Sequence, residues 1–365
     1  MISEKDFIFH SATKEVDAGS FQWTAPSNIA LVKYWGKKEH QIPANPSISF
    51  TLNNCKTITQ MNYRLRDTSA DDFSFELWFE GKERNDFRPK IQKFLERIAV
   101  YCSYLKKYHL EIRTENTFPH SSGIASSASG MAALAMNIMS LERAINPEMT
   151  ETYFYQKASF LARLGSGSAC RSVKGSVVVW GNHAEIEGSS DLFGVAFPTS
   201  IHPVFQNYQD TILLVDKGEK QVSSTVGHDL MHGHPFAEQR FLQAHHNLSA
   251  IKRVIEQGDL EQFIQIVESE ALTLHAMMMT SMPYFILMKP NTLAIINKIW
   301  SFRNTTGIPV CFTLDAGANV HILYPENVLE SVLQFIKDEL VGYCQNGHYI
   351  CDEIGLGSCA NNDVL

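Results

Sequence analysis

Apolar residues recur along this chain in two rhythms. Within residues 23–63, short β-rich runs such as Ile29-Ala30-Leu31-Val32 and Ile48-Ser49-Phe50-Thr51-Leu52 alternate with turn residues, and residues 73–79 keep a period of two. Both patterns predict strands, because successive strand side chains point to opposite faces. In Ile91-Gln92-Lys93-Phe94-Leu95-Glu96-Arg97-Ile98 the apolar residues fall instead at helical spacing. The pattern then predicts a strand over 109–114, a helix entered through Met131-Ala132-Ala133-Leu134, a helix over 152–164 and the apolar strand Ser176-Val177-Val178-Val179-Trp180. Past about residue 200 it restarts, with a strand at Thr211-Ile212-Leu213-Leu214-Val215 and helices over 235–255 and 260–278. A hairpin follows, from Val310-Cys311-Phe312-Thr313-Leu314 and His321-Ile322-Leu323-Tyr324. Residues 1–20 read as a polar leader folded back on the surface. Strands mixed with helix pairs predict an α+β fold in two halves, 1–200 and 201–365.

Composition narrows the classes of function. At 365 residues, 44% hydrophobic and 19% charged, the chain can bury a full core. A formal charge of −8 without a Lys/Arg-rich run argues against a nucleic-acid surface, whereas an anionic small molecule needs only a local basic pocket. Seven cysteines, scattered and without CxxC spacing, suit free thiols in a reducing compartment, so a cytoplasmic location is expected. The first residues are polar, and nowhere do about 18 uncharged apolar residues run together, so neither export nor a membrane partner is expected.

Four segments could carry chemistry. Phe118-Pro119-His120-Ser121-Ser122-Gly123-Ile124-Ala125-Ser126-Ser127 runs into the strong helix. Unpaired amides at a helix start carry partial positive charge, and small residues let an anion reach them. Ser126 and Ser127 could cap the helix or hold a magnesium ion; the segment equally suits an ordinary Ser-capped core helix. In Asn28-Ile29-Ala30-Leu31-Val32-Lys33-Tyr34-Trp35-Gly36-Lys37, two lysines and a tyrosine leave a strand end. Alternation puts Lys33 and Trp35 opposite Tyr34, and the turn at Gly36 can bring them to one mouth. Lysines there suit a polyanion, or a solvated sheet edge. Within Gly165-Ser166-Gly167-Ser168-Ala169-Cys170-Arg171-Ser172, Arg171 could fork onto a carboxylate or phosphate, or sit on the surface of a tight turn. Asp315-Ala316-Gly317 lies between the hairpin strands, where the carboxylate could accept a proton or the triplet could simply turn the chain. His228, His232 and His234 lack recognised zinc spacing and read as a polar loop.

Taken together, these segments resemble the diphosphomevalonate decarboxylases of the GHMP kinase superfamily. Residues 28–37 resemble the family's NIAxxKYWGK signature and residues 119–130 its phosphate loop. Residues 162–172, Ser223-Ser224-Thr225-Val226-Gly227 and Asp315-Ala316-Gly317 complete the set in the family's order. The resemblance implies an N-terminal half of the ribosomal S5 domain 2 type and a ferredoxin-like C-terminal half, with the site between them. It implies ATP and Mg2+ as cofactors and a phosphorylated mevalonate as substrate, with a homodimer left open. Asp315 would face the substrate's C3 hydroxyl, Lys33 the transferred phosphoryl group, and Arg171 with Asn28 the substrate carboxylate. Tyr34, Lys37, Ser166 and Ser168 would line the phosphorylated end. Ser121, Ser122, Gly123, Ala125, Ser126 and Ser127 would hold ATP, with Ser127 near the metal. The sequence departs from the family where His228 to Pro235 replace a Met-containing helix start and a cation, leaving Arg240 or a histidine to take the cation's place. His120-Ser121-Ser122 replaces Thr-Ala-Ala, Ser176 a Gly, and Ala318 a Pro. The alternatives are a decarboxylase or 3-kinase acting on mevalonate 5-phosphate or a related mevalonate, another small-molecule kinase of the superfamily, and a non-catalytic binding protein on this fold.

Overall fold

In a computed structural model of the chain, residues 2–67, 71–119, 124–216 and 224–361 are described. Two long antiparallel strands, β1 (Ala18–Val32) and β2 (Ser47–Leu65), organise the first half. The sequence showed only fragments of them, because Pro26, Asn28, Asn53 and Asn54 interrupt the apolar pattern. Each strand nevertheless supplies the other's hydrogen bonds along most of its length. The register shifts between Pro26 and Asn28 and again between Ala30 and Val32. Such irregularities re-aim side chains, and here they precede both Asn28 and Lys33.

The chain continues through β3 (Ser74–Phe79), β4 (Lys82–Glu83), α1 (Arg88–Ile98) and β5 (Tyr108–Asn116). Then come α2 (Ser126–Ile145), α3 (Glu151–Gly165), β6 (Val177–Trp180) and β7 (Val195–Ala196). The second half holds β8 (Gln209–Leu213), α4 (Ser224–Asp229), α5 (Ala237–Gln257), α6 (Leu260–Met279) and α7 (Pro290–Thr306). It closes with β9 (Cys311–Thr313), β10 (Val320–Tyr324), α8 (Leu329–Phe335), β11 (Tyr349–Glu353) and β12 (Cys359–Ala360).

The first sheet runs β12-β1-β2-β5-β3-β4, with β6 on β2 and β7 on β6. The second runs β11-β8-β10-β9. This is the α+β arrangement expected, with the 311–324 hairpin in antiparallel register. The C-terminal strand β12 returns to β1, pairing Trp23 with Ala360.

Apolar burial follows the sheets. On one side of β1 and β2, Trp23, Ala25 and Met61 pack with Ala132, Leu134, Met136 and Phe160 of α2 and α3. Farther along, Ile29, Leu31, Ile48 and Phe50 join Leu248, Ile251 and Phe263 of α5 and α6. The two halves therefore share a core along the end of β1 that leads to the Lys33 segment. The leader is more than a surface segment: Phe7 is buried and stacks on Phe160 at 4.6 Å between ring centroids. All seven cysteines are free thiols. Among the described residues no helix is long and apolar enough to cross a membrane.

Candidate active site

Where β1 runs out at Val32, its last residues meet the turn after β9 across a cavity of about 330 Å3. Lys33, 2% exposed, donates from Nζ to Asp315 Oδ1 at 3.0 Å, while the Asp315 carboxylate stays 30% exposed. Burial pushes the Lys33 ammonium down from its ordinary value, and Asp315 opposes that shift by favouring the charged form.

The Lys33 backbone is fixed just as firmly. Its N–H donates to Glu270 Oε2 at 2.8 Å, and its carbonyl accepts from Arg240 at 2.9 Å and from Asn45 Nδ2 at 2.9 Å. Arg240 grips Glu270 through two bonds of 2.9 and 2.6 Å, both side chains fully buried, and Asn247 adds a third donor to Glu270 at 2.6 Å. The expectation that Arg240 faces the ligand as a replacement cation is thereby overturned: its charge is spent on Glu270, and it is absent from the cavity lining. On the Asp315 side, His275 Nε2 donates to the Asp315 carbonyl at 3.1 Å, and burial lowers His275 to about 4, so the ring is neutral.

Arg171 occupies the same cavity, 3% exposed. It donates to Ser47 Oγ at 2.6 Å and Asn28 Oδ1 at 3.3 Å, and makes no salt bridge among the described residues. Asn28 is oriented in turn by Ser172 Oγ at 2.8 Å and the Ser168 carbonyl at 3.2 Å. A buried guanidinium that meets only neutral partners is expensive, and a bound anion would repay that cost. The alternative of a surface Arg in a tight turn is thus excluded.

The third wall is aromatic. Tyr34 packs against Trp180 at 4.6 Å and His228 at 4.2 Å, and His228 against Trp35 at 4.6 Å. Gly36, at φ +96°, makes the turn, and a Cβ there would come within 3.1 Å of Ala44 and Phe241. Gly167 lets the Tyr34 hydroxyl approach to 3.0 Å of where its Cβ would be. Lys37 completes this end, 3.5 Å from the exposed carboxylate of Asp229. The polar-loop reading fails for two of the three histidines. His228 lines the cavity, and His234 Nε2 donates to the Met277 carbonyl at 3.1 Å beside the Thr280 hydroxyl, both rings being buried; only His232 is exposed. Among the described residues no group of three His, Cys, Asp or Glu is placed to hold a metal.

The cavity brings together Asn28, Lys33, Tyr34, Lys37, Ala125, Ser127, Ser166, Ser168, Arg171 and Asp315. Ser126 instead lines an adjoining recess, walled by Leu77, Phe79, Phe87 and Met131, that shares Ser127 and Lys90 with the main cavity. Ser121, Ser122 and Gly123 lie outside the described residues, as do His120 and Ser223. Neither serine caps α2: the capping position is Ala125, left-handed at φ +43° with no side-chain bond to the helix. Ser127 Oγ lies 3.3 Å from Ser166 Oγ, which joins the helix start to the 165–172 turn. Glu270, Asn45, Ser47, His275 and Lys90 do not emerge from the sequence, whereas His228 does, but only as a loop histidine or a stand-in for the cation. Glu270 and Arg240 lie on separate helices, and no local spacing links them.

Residues 25–191 match the family described as Diphosphomevalonate decarboxylase-like N-terminal domain, and residues 211–355 match Mevalonate 5-diphosphate decarboxylase C-terminal domain. The diphosphomevalonate decarboxylase of Candida albicans is 32% identical over 86% of this chain and 86% of its own length. The chain belongs to the diphosphomevalonate decarboxylase family. The Aspergillus fumigatus member is 31% identical, covering 86% of this chain and 79% of the relative. Among solved structures, mevalonate diphosphate decarboxylase from Staphylococcus aureus superposes with a TM-score of 0.80 at 27% identity, over 94% of this chain and 98% of that one. A structure described as MDDEF in complex with MVAPP, AMPPCP and magnesium superposes with a TM-score of 0.79 at 26% identity, over 94% and 99%. The fold is therefore the GHMP kinase fold that the sequence implied.

Proposed function

We infer that this protein uses ATP to decarboxylate mevalonate 5-diphosphate, giving isopentenyl diphosphate for isoprenoid synthesis. The observation that carries the reading is the pairing, in one cavity, of the Lys33–Asp315 couple with a buried Arg171 that makes no salt bridge among the described residues. A tertiary alcohol is a poor leaving group, so it must first be phosphorylated. Asp315, partly open to the cavity, orients the C3 hydroxyl and accepts its proton, while the Lys33 ammonium balances charge on the transferring phosphoryl group. Arg171, aligned by Asn28 and Ser47, holds the carboxylate. When the C3–O bond breaks, its electron pair leaves with phosphate; the bond from C2 to the carboxylate then supplies the pair that forms the alkene, and carbon dioxide departs. Tyr34, Lys37, Ser166 and Ser168 bind the phosphorylated tail.

The α2 start suits ATP phosphates: the capping Ala125 makes no side-chain bond to the helix, and the first turn holds no acid. The apolar recess beside it fits a nucleobase. The oxygen donors at Ser127 and Ser166 suit magnesium, which is usually carried on phosphates with few protein ligands. Bound there, magnesium would neutralise phosphate charge. The halves 1–200 and 201–365 serve as the two domains that contribute these walls.

The test is incubation of purified protein with ATP, magnesium and, separately, mevalonate 5-phosphate and 5-diphosphate. Equal amounts of ADP and carbon dioxide from the diphosphate are expected. ADP without carbon dioxide would make the protein a kinase.

A further inference from the structure

His228 is buried, yet it lines the cavity beside Tyr34 and Lys37. Its Nδ1 lies 2.9 Å from the backbone nitrogen of Gly36. An amide can only donate, so Nδ1 accepts, and the ring proton of the neutral imidazole resides on Nε2. Burial, with Lys37 and Arg171 nearby, pushes this histidine down to about 3, so it adds no charge to the site. Packing against Tyr34 and Trp35 fixes the ring plane. The result is a rigid ring whose Nε2–H has no hydrogen-bond partner among the described residues, at the end of the cavity where the substrate's phosphates are placed above.

We propose that His228 is a specificity residue for the phosphorylated tail, its Nε2–H donating to a phosphate oxygen held between Tyr34 and Lys37. This rests on the tail assignment made under the proposed function. A neutral, pre-oriented donor recognises a phosphate oxygen by position, whereas Lys37 recognises it by charge. A rival role needs no ligand: His228 could serve only to anchor the Gly36 turn through Nδ1.

Two substitutions separate the roles. His228→Asn retains an acceptor near the Nδ1 position for Gly36 but removes the Nε2 donor. His228→Gln retains a donor near the Nε2 position but gives up the acceptor. With thermal melting confirming that both fold, His228→Asn should raise KM for mevalonate 5-diphosphate about 10-fold or more, the range for losing a hydrogen bond to a charged group. His228→Gln should raise it by no more than about 3-fold, and KM for ATP should hold in both. The opposite order, or no change with Asn, overturns the proposal. In the unmutated protein, ring-nitrogen NMR should show the Nε2–H tautomer, with its resonance moving on addition of inorganic pyrophosphate; an unmoved resonance at saturation also overturns it. If the unmutated protein forms ADP without carbon dioxide, the decarboxylation falls, and the KM order, read from ADP, still decides the role of His228.

Discussion

Lys33 and Lys37 lie on one short stretch of chain, line one cavity, and are held in opposite ways. Lys33 is buried, with its ammonium on Asp315 and its backbone clamped by Glu270, Arg240 and Asn45. Lys37 keeps some exposure and has one longer ion pair, to an Asp229 that is 55% exposed. An exposed pair is weak and easily exchanged, whereas a buried charge network tolerates no missing member. Under the proposed reaction, the contrast assigns rigidity to the end where bonds would change and adaptability to the end that would grip the tail. Position at the reacting centre matters at the scale of an ångström, but a phosphate can be held by a charge on a flexible stem.

The largest test of this contrast is Asp315→Ala, which removes the side-chain partner of Lys33 Nζ. Turnover should fall by about 1,000-fold or more while ATP binding, followed by calorimetry, persists. Near-normal product formation would remove Asp315 from its role. Next, Glu270→Ala strands Arg240 without its counter-charge and releases the Lys33 N–H. Denaturant unfolding should show a loss of about 3–5 kcal/mol; a loss below about 1 kcal/mol would mean that the clamp is not what fixes Lys33. The smallest effect belongs to Lys37→Ala, expected to raise KM for the diphosphate about 10-fold with kcat nearly unchanged. A fall in kcat comparable to that of Asp315→Ala would erase the distinction between the two ends.

The legible parts of the molecule were those whose signal is local. The 311–324 hairpin could be read because alternating apolar residues flank Asp315, and α2 because a small-residue loop meets an Ala/Met-rich run. Ten of the residues expected at the site share one cavity although they come from four separated segments. Helix α7 was missed: its apolar residues do not form one stripe, Leu293 being exposed while Ile295, Ile296 and Ile299 are buried. The clamp around Lys33 was missed for another reason. Glu270 and Arg240 each read as ordinary charged helix residues, and only the packing of α5 against α6 and the end of β1 gives them a shared task. By composition His228 groups with His232 and His234, whereas in the fold it packs against two aromatic rings contributed by another segment.

The pairing of β12 with β1 orders events during synthesis. The edge of β1 at Trp23 and Thr24 is covered by residues made long after it, and residues 354–358 tie down Thr51 and Val173 on the way. A nascent chain thus carries an open sheet border there, able to template unwanted pairing, until β12 leaves the ribosome and pairs with it.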